Sequence, residues 1–214
     1  MKKIHGSSAV AHINPQKLEK MKISFLFSSV LLISALLGML VANYISTDLY
    51  ANSIFRISNH FETAFLGSSD FLGYAKIVAL YSLSDIIVLS VIFAASFSIL
   101  NYLVTDAVLF FCGMKFGVST AFLIGFSRLS NLPYCVGNTR LCAFVLAGLI
   151  WLMVLLYYSC YAAISSTRFK LTDSSGRPNV KTVDFIMFTL KTVACVGAVI
   201  ILNAVYCFSI YILK

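Results

Sequence analysis

The sequence predicts an all-α polytopic integral membrane protein, a helical bundle of about five transmembrane helices. Three observations predict it. Of the 214 residues, 60% are hydrophobic and only 11% are charged, whereas an ordinary soluble domain carries about 25% charged residues. Several apolar runs approach or exceed the ~20 residues that cross a bilayer. The net charge of +8 gathers in the N-terminal segment and near residues 168–181, both beside apolar runs. Topology and anionic lipid account for such a distribution better than nucleic acid does. The expected partners are therefore the lipid bilayer and other membrane or cell-wall proteins, with no nucleic acid.

Residues 1–22 are polar and basic, with Lys2, Lys3, Lys17, Lys20 and Lys22 against Glu19 alone. The positive-inside rule places them in the cytoplasm. Asn14-Pro15 reads as a cap followed by proline at a first helical position, the start of a short helix. The apolar run that follows is too long for the core of a signal peptide, so it reads as a retained anchor. The remainder, residues 23–213, forms one transmembrane domain.

The first span covers about residues 23–45, where Gly38, Ser28, Ser29, Ser34 and Ala35 offer surfaces for helix packing. Residues 47–76 differ in kind. Tyr50, Ile54, Ile57, Phe61 and Phe65 recur at helical steps, with Asp48, Arg56, His60 and Glu62 largely off that stripe. Such an amphipathic segment lies flat on the outer membrane surface or docks a partner protein. Tyr50, Ile54, Phe61 and Phe65 are its candidate contact residues.

From residue 77 to residue 127 the chain is too long and apolar for one crossing. Asn101 to Asp106 reads as the turn, with Thr105-Asp106 capping the next helix. Spans are expected at about 77–100 and 107–127, the second crossing or dipping back. Residues 128–140 form a polar loop with turn signals at Asn131-Leu132-Pro133 and Gly137-Asn138. Spans at 141–166 and 185–213 follow, separated by a basic loop with Arg168, Lys170, Arg177 and Lys181. Five crossings put the C-terminus outside. Four crossings with 107–127 re-entrant put it inside. The basic loop favours five slightly.

Three charges fall within spans: Asp85, Lys115 and Lys191. Intramembrane charge is a functional hypothesis by default, although structural pairing is the expectation here over ion conduction. With five spans Lys191 lies too far from Asp85 to pair, and Lys115, Lys191 and Asp106 would gather toward the inner side. With four spans Asp85 and Lys191 could pair. Gly113 and Gly117, four residues apart, share a helix face and let another backbone approach.

His5, His12 and His60 lie outside the spans, and the dispersed acids make no recognised metal-ligand spacing. No zinc-protease, nucleophile-elbow, P-loop or dinucleotide motif is present. No catalytic residue, cofactor or metal is expected. Cys112, Cys160, Cys195 and Cys207 read as small hydrophobes in the spans. Cys135 and Cys142 can form a disulfide where their loop faces an oxidising side.

Residues 110–123 resemble the stage II sporulation protein M family: Phe110, Phe111, Gly113, Gly117, Phe122 and Leu123 match its bulky-Gly-x-x-x-Gly segment running into Phe-Leu. Leu132-Pro133 stands where that family tends to show Leu-Pro. The turn after the glycine helix departs from the family in lacking its usual glycine, and residues 128–140 are unusually polar. The resemblance implies a non-catalytic scaffold in the cytoplasmic membrane of an endospore-forming bacterium. It also implies partners, the peptidoglycan-degrading stage II sporulation proteins P and D at the division septum. Two other classes fit the composition: a membrane immunity protein against a pore-forming bacteriocin or effector, and a transporter or channel subunit.

Overall fold

The structure, a computed structural model, describes residues 15–44, 71–128, 138–169 and 182–212. All of the regular structure among them is helical: α1 (Pro15–Tyr44), α2 (Phe71–Ala95), α3 (Asn101–Arg128), α4 (Asn138–Phe169) and α5 (Thr182–Ile212). Each contains a stretch long and apolar enough to cross a bilayer. A chain crossing hydrocarbon must satisfy its backbone polar groups internally, and a helix does so within one segment. Most of the large apolar side chains on the outside, such as Phe25, Leu32, Leu103, Phe111, Met153 and Ile201, are more than half exposed. In a bilayer this is the lipid-facing surface.

Contacts along the helices fix their directions. Phe27 meets Tyr102 at 6.5 Å between ring centroids, and further along both helices Leu31 and Ser34 lie on Gly113 and Ala35 on Gly117. The register rises on both helices together, so α1 and α3 are parallel. Asn101 bonds Ser166 and Phe116 lies on Gly148, so α3 and α4 are antiparallel. Phe93 stacks on Phe188 and Asp85 accepts from Asn203, so α2 and α5 are antiparallel. Helices α1, α3 and α5 thus run one way and α2 and α4 the other, an alternation that five crossings produce. The re-entrant alternative for 107–127 is corrected by α3 itself, a continuous helix of 28 residues paired with α4 at both of those levels.

Helix boundaries also correct two sequence expectations. The turn between α2 and α3 is residues 96–100, not 101–106. Serines make it: the Ser96 hydroxyl donates back to the Ile92 carbonyl at 2.7 Å, and the Leu100 N–H donates to Ser98 Oγ at 3.2 Å. Thr105 does not cap a helix, because it already lies one turn inside α3 and donates to Asn101 Oδ1 at 3.2 Å. At the other end α2 starts at Phe71, within the segment assigned to the outer surface. The short helix expected at Asn14-Pro15 is continuous with the first span. Tyr50, Ile54, Phe61 and Phe65, Leu132-Pro133 and Cys135 lie outside the described residues.

The core runs through the middle of the bundle. Phe27, Leu89, Ile92, Leu109, Leu155, Tyr158, Phe188 and Val199 have no exposed surface. Phe188 is its hub, stacked with Phe93 at 5.2 Å, Tyr161 at 5.9 Å and Tyr158 at 6.3 Å. Lipid tails are as apolar as these rings, so close packing rather than water exclusion favours this cluster in a membrane.

Candidate functional site

The tightest feature is the seam between α1 and α3. Gly113 and Gly117 both face α1, where the chain supplies Leu31, Ser34, Ala35 and Gly38. A Cβ added to Gly117 would overlap the Ala35 carbonyl, and one added to Gly38 would overlap the Met114 carbonyl. At Gly113 it would meet Ser34 Oγ and come within 2.8 Å of the Leu31 oxygen. Two of the three obstacles are backbone, which cannot step aside. Small residues therefore stand on both helices at one level, the composition that lets transmembrane backbones approach closely. Ser34 keeps its hydroxyl occupied locally, donating to the Leu31 carbonyl at 2.9 Å.

The seam is part of a layered arrangement. On the α4 side of α3, Gly148 lies beneath the Phe116 ring. Toward the α2–α3 turn, the buried Asn101 donates its amide to Ser166 Oγ at 2.8 Å while accepting from Thr105. Ser166 passes its own proton to the Ala163 carbonyl at 2.8 Å, leaving Asn101 and Ser166 with partners. On the far side of α4, Tyr158 and Thr192 share a 2.9 Å hydrogen bond between hydroxyls.

The intramembrane charges separate into distinct environments. Asp85, partly buried on α2, accepts from the Asn203 amide at 3.0 Å and faces the Ser84 hydroxyl at 3.5 Å. The same Asn203 nitrogen reaches the buried Ser82 Oγ at 3.4 Å, giving a polar node of α2 and α5. Lys115, exposed on α3, is within electrostatic reach of Asp85. Lys191 instead places its ammonium 3.9 Å from the centroid of Tyr161, a cation–π contact. Asp106 Oδ1 is buried and accepts no hydrogen bond among the described residues. Since α3 and α4 are antiparallel with Asn101 on Ser166, Asp106 stands at about the level of Tyr161, where Lys191 also lies, both toward the α2–α3 turn, while Lys115 stands farther along α3. Lys191 thus lies beside the aromatic hub, whereas Lys115 is exposed on the surface of α3.

Sequence reasoning identified the two glycines and the three charges but missed Asn203, Ser82, Asn101 and Ser166. The signal for them was a polar side chain, amide or hydroxyl, within an apolar run, which marks a need for a partner without saying where the partner is. Among the described residues, no group of three or more metal-ligating side chains occurs. Cys112, Cys195 and Cys207 are largely enclosed by helix packing, while Cys142 is exposed at the start of α4.

No protein-family model matches the chain, and neither a curated protein nor a solved structure is similar to it.

Proposed function

We propose that this chain is a non-catalytic membrane scaffold that anchors peptidoglycan-degrading sporulation proteins at the septum during forespore engulfment. The observation that carries the reading is the place of the motif in the bundle. The segment resembling the stage II sporulation protein M family, with Gly113 and Gly117, is the one packed backbone-to-backbone on α1. A scaffold needs a fixed frame from which partners hang, and the close backbone packing of a glycine seam makes such a frame. The partners' catalytic parts act outside the membrane, so residues 47–76 are the proposed contact surface, with Tyr50, Phe61 and Phe65 as anchors.

Deleting the gene in its native host and imaging sporulating cells with a membrane dye tests the reading. Cells stalled after asymmetric division, with an undissolved or bulging septum, are the expected result. Normal engulfment, or a host that forms no spores, would overturn it and leave a membrane immunity protein as the next candidate.

A channel or transporter subunit is the reading favoured by one separate observation, the polar node of Ser82, Asp85 and Asn203 in the middle of the apolar bundle. Asp85→Asn protein in liposomes distinguishes the two. A changed ion flux supports conduction, whereas the scaffold reading predicts no flux from either protein.

A further inference from the structure

We infer that the α1–α3 seam is held in register by three Cα–H···O hydrogen bonds: from Gly113 to Ser34 Oγ, from Gly117 to the Ala35 carbonyl and from Gly38 to the Met114 carbonyl. The inference does not depend on the scaffold reading.

Geometry comes first. At all three glycines the atom nearest to the place where a Cβ would stand is an oxygen of the facing helix: Ser34 Oγ, the Ala35 oxygen and the Met114 oxygen. A glycine carries a hydrogen along that same bond direction. The hydrogen therefore points at the oxygen that would exclude a methyl group. Behind two of these oxygens, the Ala35 and Met114 carbonyl carbons stand 2.9 and 3.1 Å from the Cβ sites of Gly117 and Gly38, so backbone C=O groups line the approach. Cα–H···O contacts recur where helices cross closely. The arrangement is particular to this seam, because Gly148 meets the Phe116 ring and Gly197 meets nothing.

Electrostatics then favours the contacts. A backbone carbonyl has two lone pairs, and the helix ladder uses one. In hydrocarbon no water takes up the second, so a Cα hydrogen, weakly positive, is the partner within reach. Ser34 fits the same scheme. Its buried hydroxyl donates to the Leu31 carbonyl at 2.9 Å, which turns the proton back onto α1 and leaves the oxygen as an acceptor for Gly113.

Register follows from where the donors sit. They stand on both helices, and two of the bonds cross. Gly117 on α3 gives to Ala35, while Gly38, three residues after Ala35, gives to Met114, three residues before Gly117. Between parallel helices a slip of one residue, ~1.5 Å, lengthens one of these two bonds whichever way it goes. Small side chains let the helices approach, and the crossed bonds set how they align.

Proton NMR of the full chain in bicelles, labelled at the glycine Cα, tests the inference. Each glycine has two Cα hydrogens, and one drawn onto an oxygen moves downfield of its twin. Widely separated pairs are expected at Gly38, Gly113 and Gly117, and a nearly coincident pair at Gly197. Ser34→Ala deletes one acceptor while keeping a small residue in its place. It is expected to bring the Gly113 pair together and to leave the Gly117 and Gly38 pairs as they were. Seam glycines with pairs as close as those of Gly197 would overturn the inference, and so would a Gly113 pair unmoved by Ser34→Ala. Where that variant does not accumulate, the comparison with Gly197 in the unchanged chain decides.

Discussion

At the scale of single residues, glycines with the same chemistry carry opposite predictions. Gly117 faces the Ala35 backbone, whereas Gly197 on α5 has open space where a Cβ would sit. Gly117→Ala is expected to cost about 2 kcal/mol through overpacking, while Gly197→Ala is expected to be neutral or to stabilise by up to about 1 kcal/mol. Reversible unfolding of both variants in bicelles checks the contrast, and equal effects would remove the seam from the account. Tyr158→Phe deletes the bond to Thr192 and leaves the ring stacked on Phe188. Its expected cost is only about 0.6 kcal/mol, the average for hydrogen bonds within membranes. The glycine pair was legible in the sequence because a spacing of four states its own geometry. Asp85 was legible as a charge but not as a partner of Asn203, because 118 positions separate them and no local period links them.

Between elements, the α1–α3 seam and the Asn101–Ser166 bond hold different levels of the same helix. The bond lies beside the α2–α3 turn and is fully buried. Asn101→Leu would strand the Thr105 hydroxyl and remove the donor to Ser166 Oγ, which keeps its own bond to the Ala163 carbonyl, and a loss of about 1–3 kcal/mol is expected. Hydrogen exchange should localise that loss to the turn end of α3 and α4, leaving the seam protected. Uniform loss of protection along α3 would show that the two levels act as one. The sequence placed this turn five residues late, since Asn and Asp ordinarily favour turns. Here Asn101 and Thr105 spend their polar groups on each other and on α4. Ser96 and Ser98, within a run read as the end of a span, supply the turn instead.

For the whole molecule, the composition sufficed to specify a helical membrane bundle, because its 11% charge leaves little to cover a water-facing surface. The count of crossings was balanced in the sequence between five and four, with the basic loop tipping it slightly. Packing resolves that balance: α1 and α3 rise together, and α3 accompanies α4 between the levels of Asn101 and Phe116. A re-entrant segment that turned back midway would not hold both contacts. Five crossings present the two ends of the chain to opposite sides of the membrane.

The most direct test of this arrangement places a topology reporter on each end of the full chain in a bacterial membrane. A phosphatase active only outside and a fluorescent protein that folds only inside serve as the pair. Five crossings predict cytoplasmic signal from the N-terminal fusion and external signal from the C-terminal one. Both ends reporting the same side would mean an even number of crossings and would contradict the bundle described above.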